Sequence, residues 1–386
     1  MKISLVKDTI NQDDINSLID WLKTNPRLTK GPLTTQFEME WSKFLGVEYS
    51  TYVNSGSSAL LLALTALKIS GRPGTNIIVP SLSWATDVSS IVYSGYNPIF
   101  CDSSSKDLNI DPSKLETLFI EYKPAALLLV HVLGFVNDME TILDLCNKYN
   151  VTLIEDCCET MGSTYKGKFA GTFGLISCFS MYYGHTISSI EGGIVSTSDK
   201  EINNILKMVR NHGWDRDLDL ETQQKLRTEH NINEFKSFYT FYQLGYNLRS
   251  TDLQAHIALD QIKKLPDFIK KRHDNFYKIQ NSLDGLPWRV EPTLGCSTDI
   301  ISNFAYPIIH PKHEAIVKAL IDGGVETRPL IAGALSTQPF LKNREVISNA
   351  TWVETIADKQ GFYIPNNPDL SDEEIQYMTG IIRRFI

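Results

Sequence analysis

The sequence predicts an α/β fold with a large, mostly parallel sheet covered by helices, followed by a smaller C-terminal α+β domain. Short runs rich in Val, Ile and Leu alternate with helical patterns between residues 51 and 156. Such runs are typical of strands buried on both faces, and β-α alternation favours a parallel sheet. After residue 175 the alternation stops. A chain of 386 residues is long enough for one large domain with a smaller partner.

The first part of the chain supplies the strands and helices of the predicted large sheet. Each strand leads into a helix, and ligands of such sheets bind beyond the carboxyl ends of the strands. The predicted strands are TYVNSG (51–56), NIIVP (76–80), PIFCD (98–102), AALLLVHVLG (125–134) and VTLIED (151–156), and the helices between them lie in SALLLALTALKI, WATDVSSIVYSG, DPSKLETLF and DMETILDLCNKYN.

The second part of the chain has a different pattern. SCFSMYY and GGIVST predict a close pair of strands, and EINNILKMVRNHG predicts a helix. A long helical stretch begins near residue 251, and it is followed by the strand FAYPIIH and the helix HEAIVKALIDGG. We therefore predict a large domain over residues 1–250 and a small domain over residues 251–386.

Charge and apolar content argue against several classes of partner. The formal net charge is −8, whereas a nucleic-acid partner requires a basic face, so we expect none. The N-terminus lacks the pattern of a signal peptide, and the most apolar run (125–136) is shorter than the about 20 residues that span a bilayer. We expect a cytoplasmic protein without membrane contact.

The six cysteines form no C-x-x-C pair, so no metal site is predicted, and buried thiols are expected.

A small polar turn between the first strand and helix is a candidate phosphate site. In VNSGSSALLLAL, the residues 54–58 precede the helix. Backbone N–H groups at a helix N-terminus bind phosphate well, and glycine lets the anion approach. The alternative is a serine that only caps the helix. The turn is not a P-loop, because no G-K-[ST] follows.

Two further side chains follow predicted strand ends. Asp156 closes VTLIED, where a carboxylate can hold a protonated ring nitrogen; the alternative is a cap for the next helix. Trp84 follows NIIVP, where an aromatic ring can stack on a flat ligand; the alternative is a core tryptophan.

Two polar segments combine basic groups with aromatic residues. NHGWDRD (211–217) contains His212 and Arg216, and LGYNLRS (244–250) contains Asn247 and Arg249. These side chains are candidates for phosphate contacts, and the alternative is an exposed loop.

The stretch CFSMYYGHTISSIEGG contains a histidine but no lysine. Lysine is absent from Phe169 to Asp199, and His185 stands near the centre. A histidine can accept and donate protons near neutral pH. The alternative is a structural histidine on a strand.

Taken in order, these motifs resemble the nucleotide-sugar aminotransferases of pyridoxal-phosphate fold type I, whose fold is like that of aspartate aminotransferase. The resemblance runs from KGPLTTQFEMEW (30–41) to TRPL (327–330). It implies pyridoxal 5′-phosphate (PLP) or pyridoxamine 5′-phosphate (PMP) as cofactor, and a homodimer with shared active sites. The implied contacts are Ser57, Ser58 and Ser180 to the phosphate, Trp84 to the ring, Asp156 to the ring nitrogen, Glu159 near the 3-hydroxyl, and Asn247 to the phosphate in the partner subunit's site.

The departure from the aminotransferase pattern is at His185, where those enzymes have the lysine that holds the cofactor covalently. The same swap is typical of a branch of this family, the 4-keto-6-deoxy sugar 3-dehydratases. EDCCETMG, AGTFGL, HTISSIEGG and HGWDRDL are similar to the GDP-sugar dehydratases of that branch, which serve colitose biosynthesis.

The resemblance implies removal of the C3 hydroxyl from a nucleotide-linked sugar, with GDP-4-keto-6-deoxy-D-mannose favoured. His185 is then the acid-base residue, and L-glutamate restores PMP. His212, Arg216 and Arg328 are candidates for contacting the nucleotide or the sugar. No iron–sulfur cluster or reductase is expected, because only Cys296 follows Cys178.

Two rival interpretations remain open at the level of sequence. One is a 4-aminotransferase whose lysine has been replaced, against which stands Ile190, at a position where aminotransferases commonly have glycine. The other is a non-catalytic binder of nucleotide sugars, against which stands the retention of the cofactor contacts. The polar stretch 218–237 is interpreted either as a lid or as an exposed loop.

Overall fold

A computed structural model describes residues 2–386. Within them the strands form an eight-stranded sheet, a three-stranded sheet and a two-stranded ribbon. The strands are β1 (Tyr49–Val53), β2 (Asn76–Pro80), β3 (Asn97–Cys101), β4 (Ala126–Val130), β5 (Thr152–Asp156), β6 (Thr164–Tyr165), β7 (Lys168–Phe169), β8 (Ile176–Ser180), β9 (Gly193–Thr197), β10 (Ala305–Ile309), β11 (Arg328–Pro329), β12 (Ile347–Ser348) and β13 (Gly361–Pro365).

Helices cover the large sheet and connect its strands. None of those in residues 2–386 combines the length and the apolar character that crossing a membrane would require. The helices are α1 (Gln12–Leu22), α2 (Pro32–Leu45), α3 (Gly56–Ile69), α4 (Ala85–Tyr93), α5 (Pro112–Tyr122), α6 (Met139–Tyr149), α7 (Lys200–Arg210), α8 (Leu220–Glu229), α9 (Glu234–Ser237), α10 (Asp252–Ser282), α11 (His313–Asp322), α12 (Asp358–Gln360) and α13 (Asp372–Ile382).

The large sheet has the strand order β1-β9-β8-β5-β4-β2-β3-β12. The pairs from β8 to β12 are parallel, whereas β9 runs antiparallel to both β8 and β1. The predicted large, mostly parallel sheet and the close β8–β9 pair are therefore confirmed. The ribbon between β5 and β8 was not predicted, because two-residue strands have no detectable period in sequence.

Each face of this sheet carries its own apolar core. In β4, Leu127 and Leu129 pack on one face with Trp41 of α2, and Leu128 packs on the other face with Leu62 of α3. Alternate side chains of a strand point to opposite faces, so a strand that is apolar throughout is buried on both. This explains why the sequence shows runs of Val, Ile and Leu instead of alternation.

Polar side chains collect where the parallel strands end. β2, β4, β5 and β8 end at Pro80, Val130, Asp156 and Ser180. The carboxyl ends of parallel strands meet at one edge of a sheet, so these residues are brought together. The N-termini of α3 and α4 lie at the same edge, because each follows a strand that ends there.

The C-terminal segment packs against this edge through α10 and the three-stranded sheet. The buried Arg272 of α10 donates to the backbone carbonyl oxygens of Phe304 (3.0 Å) and Asn366 (2.6 Å). β12 joins the large sheet beside β3, although it lies beyond residue 250. The division into residues 1–250 and 251–386 stays a prediction.

The polar stretch 218–237 folds into α8 and α9. Asp219 caps α8 by accepting from the N–H of Thr222, and α8 contributes no buried residue. Large apolar side chains follow it on the surface, including Phe235 (85% exposed) and Leu244 (93% exposed). A helix without a buried face is held by its caps and ends rather than by a core.

A buried ion-pair network fixes the segment that leaves α7. Arg210 is 1% exposed, and it donates to the carboxylates of Glu38 and Asp217 and to the carbonyl oxygen of Tyr52. Lys30 lies 3.0 Å from Asp217 on the other side. The nearby positive charges hold the pKa of Asp217 below its usual range, against the opposing effect of burial. Helices α2 and α7 and strand β1 are thereby joined.

We expect Arg210→Ala to lower the free energy of unfolding by about 3–5 kcal/mol, because it leaves the Glu38 carboxylate buried without its cation. Urea unfolding at fixed protein concentration measures the change. Lys23→Ala is the control, since its ion pair with Asp20 is exposed and is worth about 0–1 kcal/mol. Similar losses in the two variants would contradict a structural role for the network.

Candidate active site

A cavity of about 530 Å³ opens at the carboxyl edge of the large sheet. Seven of the eleven residues predicted for the site line it. They are Ser57, Trp84, Asp156, Glu159, Ser180, His185 and Arg328. No lysine is found among the lining residues that the structure describes.

An anion cradle lies between the N-terminus of α3 and the end of β8. The Oγ of Ser57 donates to the Oγ of Thr86 (3.1 Å), and Ser180 Oγ accepts from the N–H of Tyr182 (3.4 Å). A Cβ on Gly56 would lie 2.6 Å from the Cβ of Ser180, so only glycine lets the helix end approach β8 this closely. Hydroxyl groups and helix N–H groups in this arrangement suit a phosphate group.

Asp156 and Trp84 lie on the adjoining wall. Asp156 is 5% exposed at the end of β5, and its Oδ1 accepts from the N–H of Cys158 (2.9 Å). The Trp84 side chain is 57% exposed, although tryptophan is usually buried. An open indole ring and a strand-end carboxylate suit a flat, cationic heterocycle.

Glu159 is a second carboxyl group beside Asp156. Its Oε2 accepts from the N–H of Leu133 (3.1 Å). Burial, and next the charge of Asp156, raise the pKa of Glu159 to about 7. The group is therefore divided between acid and carboxylate at neutral pH.

His185 lies on the loop after β8, between two aromatic rings. Its ring centroid is 5.8 Å from that of Tyr182 and 5.8 Å from that of Phe304, and both contacts are edge-on. Burial, together with the positive charge of Arg272, lowers its pKa to about 4. The buried Nδ1 has no hydrogen-bond partner within residues 2–386. At neutral pH the imidazole is therefore uncharged and able to accept a proton.

Ile190, on the same loop, has a left-handed backbone with φ of 71°. A β-branched residue rarely adopts this conformation. A glycine at this position would take it without strain.

Arg328 lies at the rim of the cavity. Its Nη2 donates to Glu326 Oε1 (2.7 Å), and its side chain is 50% exposed. Several further lining residues were missed by the sequence analysis, and four of them are Leu5, Val6, Phe304 and Tyr363. They come from the N-terminus and the C-terminal segment and carry no motif, so no local signal was available for them.

Four predicted site residues lie outside the cavity of this chain. Ser58 bonds to Ser55 through its N–H and its Oγ. His212 packs edge-on against Trp214, and the guanidinium of Arg216 lies 3.9 Å from the Trp214 ring centre. Asn247 Oδ1 accepts from Arg249 Nε (2.9 Å). Their roles stay predictions, as do those of the seven lining residues.

One buried cluster near the cavity has the composition of a metal site. It comprises His131, Glu155 and Cys157. His131 Nδ1 accepts from the N–H of Asn137 (3.2 Å), so its Nε2 donates to Glu155 Oε2 (3.1 Å). The carboxylate oxygens of Glu155 also accept hydrogen bonds from the backbone N–H groups of Gly171, Phe173 and Gly174. Because His131 and Glu155 already have hydrogen-bond partners, we assign these two side chains a structural role beside β5.

Comparisons with known proteins agree with this geometry. The chain is 33% identical to a GDP-4-keto-6-deoxy-D-mannose 3-dehydratase of Yersinia pseudotuberculosis, over 98% of each chain. It is 32% identical to a GDP-perosamine synthase of Escherichia coli O157:H7, over 96% of this chain and 94% of the relative.

Among solved structures, a GDP-4-keto-6-deoxymannose-3-dehydratase with a trapped PLP-glutamate geminal diamine superposes with a TM-score of 0.90. The two are 29% identical, over 98% of this chain and 100% of the other. Residues 8–383 match the DegT/DnrJ/EryC1/StrS aminotransferase family. This match covers nearly the whole chain, and it agrees with the strand-end cavity and the helix-end cradle. The chain belongs to the DegT/DnrJ/EryC1/StrS aminotransferase family.

Proposed function

We propose that the chain is a cytoplasmic, PLP/PMP-dependent 3-dehydratase of dideoxysugar biosynthesis. It removes the C3 hydroxyl of a nucleotide-linked 4-keto-6-deoxy sugar, with GDP-4-keto-6-deoxy-D-mannose favoured, and L-glutamate regenerates PMP. One observation carries the proposal: an uncharged His185, and no lysine among the described residues, lines a cavity whose residues suit the cofactor of this family.

The lining residues fit the cofactor. The cradle of Gly56, Ser57 and Ser180 suits its phosphate, and the exposed Trp84 ring suits its pyridine ring. Asp156 supplies a carboxylate for the ring nitrogen. When bound, PMP supplies an amine for the sugar ketone and a ring that accepts electrons.

His185 is the acid-base group of the proposed reaction. Its low pKa leaves it uncharged at neutral pH, so a ring nitrogen that faces the cavity can take up a proton. The same imidazolium can then return that proton to the departing C3 hydroxyl, which leaves as water. A histidine forms no lasting covalent bond to the cofactor, so the residue transfers protons without holding the cofactor.

The other walls exclude water and limit the approach of the sugar. Leu5, Val6 and Phe304 supply apolar surface beside His185, and Arg328 stands at the rim, where it can meet an anionic nucleotide. Exclusion of water protects reactive intermediates from hydrolysis.

The mass of the product tests the function. The purified protein is mixed with PLP, L-glutamate and GDP-4-keto-6-deoxymannose, and loss of one oxygen from the sugar nucleotide is expected. An amine in place of the ketone would mean transamination, and the chain would then be a 4-aminotransferase. No change with the GDP, CDP or dTDP sugar would favour a non-catalytic binder.

Titration of Glu159 gives a second test, made on the protein without cofactor. Its pKa rises from about 4.3 in the unfolded chain to about 7 in the fold, so the fold binds more protons between these values. This contribution to stability is present at low pH and is lost as the pH rises towards 7. We expect Glu159→Gln to gain stability relative to the natural protein across this window, by up to roughly 3 kcal/mol.

Thermal unfolding of the two proteins between pH 5 and pH 8 measures that difference. Because His185 is present in both, its own titration cancels. A difference that is constant across the window would contradict the raised pKa.

We further propose that the protein is a homodimer in which Asn247 completes the partner's site. The exposed apolar side chains in the preceding segment of the chain, including Phe235, Phe238 and Leu244, support a contact surface in this region. In a mixture of His185→Asn and Asn247→Ala chains, one site of each mixed dimer has both natural residues.

Exchange of subunits between these two variants should therefore restore activity. Random pairing makes half of the dimers mixed, so recovery to about one quarter of natural activity is expected. Each variant subjected to exchange with itself is the control. Absence of recovery, despite mixed dimers detected by mass, would contradict the shared site.

A further inference from the structure

A second buried aspartate lies against Asp156. Asp87 belongs to the first turn of α4 and is 0% exposed, and its Oδ2 accepts from the N–H of Trp84 (2.9 Å). No hydrogen-bond donor within residues 2–386 reaches its Oδ1. Asp87 and Asp156 both line the cavity, and their carboxyl groups are within hydrogen-bonding reach of each other. Two carboxylates this close in a buried site do not both ionise.

The surroundings show which of the two carries the proton. Burial, and next the charge of Asp156, raise the pKa of Asp87 well above its usual range, and Glu159 adds a smaller effect in the same direction. The other titratable groups that face Asp87 are the thiols of Cys158 and Cys178, whose pKa values are also raised by burial. None of these neighbours is a cation.

Asp156 is better placed to keep a negative charge. It accepts the N–H of Cys158 (2.9 Å), and it faces the space into which a cationic ring nitrogen would fit. Asp87 has one N–H donor, on Oδ2, and its Oδ1 has none within residues 2–386.

We propose that Asp87 is a positioning residue: a neutral carboxylic acid whose Oδ1–H donates a hydrogen bond to the Asp156 carboxylate. The hydrogen bond fixes the rotation of Asp156. It also leaves one negative charge, and not two, opposite the ring nitrogen. This inference rests on the proposed role of Asp156 towards the cofactor, and it assigns a function to a residue that the sequence analysis did not single out.

The protonation state is tested by infrared spectroscopy of the protein without cofactor. In mildly alkaline buffer, Glu159 is ionised, since its pKa is about 7. The carbonyl stretching band of a protonated carboxyl group is therefore expected in the natural protein, and it is expected to be absent from Asp87→Asn. The asparagine keeps the shape of the side chain, one acceptor for Trp84 and one donor for Asp156.

The positioning role is tested by the dissociation constant of PLP, measured by equilibrium dialysis. Asp87→Val removes the donor to a charged group, so affinity should fall by about tenfold or more. Asp87→Asn should restore most of that loss. A purely structural role would instead lower the stability of the two variants without this difference in affinity.

Two results would overturn the proposal. One is a carbonyl band that is unchanged in Asp87→Asn, and the other is an Asp87→Asn protein that binds PLP as weakly as Asp87→Val. If Asp87→Val does not fold, the infrared comparison decides alone. If the natural protein binds no PLP, the proposed function fails, whereas the infrared result still settles the protonation of Asp87.

Discussion

His185→Asn is expected to lower kcat for 3-deoxygenation by about 10²–10⁴-fold, the usual contribution of a positioned acid-base group. Asparagine cannot take up a proton, so turnover should fall. Because its side chain is similar in size to that of histidine, PLP affinity should change little. The two effects are separated by measuring product mass over time and PLP binding by absorbance. A large loss of turnover with intact binding would assign proton transfer to this side chain.

The matched control makes the same substitution elsewhere. His230 is exposed at the end of α8, outside the cavity, so His230→Asn should retain full turnover. If His185→Asn and His230→Asn have equal activity, the acid-base role of His185 is wrong, and another group must move the proton.

Asp156→Asn is expected to lower turnover by about 10²–10³-fold, as when one preorganised electrostatic group is removed from an active site. Asparagine still accepts the N–H of Cys158, so the end of β5 should keep its shape. The lost element is the negative charge opposite the ring nitrogen. Turnover, PLP affinity and the absorbance of bound PLP together measure the change.

Asp199→Asn is the control for this substitution, because Asp199 caps α7 beyond the end of β9 that lies opposite the cavity edge, and asparagine is an equally good cap. Natural turnover is expected from it. Natural turnover from Asp156→Asn as well would mean that the ring nitrogen, if a ring is bound here, does not need a carboxylate.

The large sheet could be predicted from the sequence because strands that are buried on both faces consist mainly of apolar residues. β4 is apolar along its whole length, whereas the central Leu153 and Ile154 of β5 are followed by Glu155 and Asp156 at the strand end, where sites are built. The turn of the anion cradle was also visible as glycine and serine before a helix, although a serine that only caps a helix has the same pattern.

The rest of the site depends on contacts between distant segments. Val6 and Phe304 reach the cavity through the packing of the N-terminus and the C-terminal segment, and their apolar side chains resemble any core residue. Asp87 was not singled out in the sequence, because an acidic residue in the first turn of a helix is common. Its closeness to Asp156 follows from the order β2-β4-β5 in the sheet, which no local pattern records.

Because β9 runs antiparallel to β8, the loop between these two strands can change without changing the order of the strands in the sheet. Ser180 and Gly193 are directly paired in the β8–β9 ladder, so residues 181–192 form a closed excursion that leaves and returns at a single pair. That excursion carries His185 and Ile190, and none of its residues takes part in the ladders of the large sheet. An ancestor could therefore exchange the proton-transfer group on this loop, and with it the type of reaction, while every strand kept its neighbour.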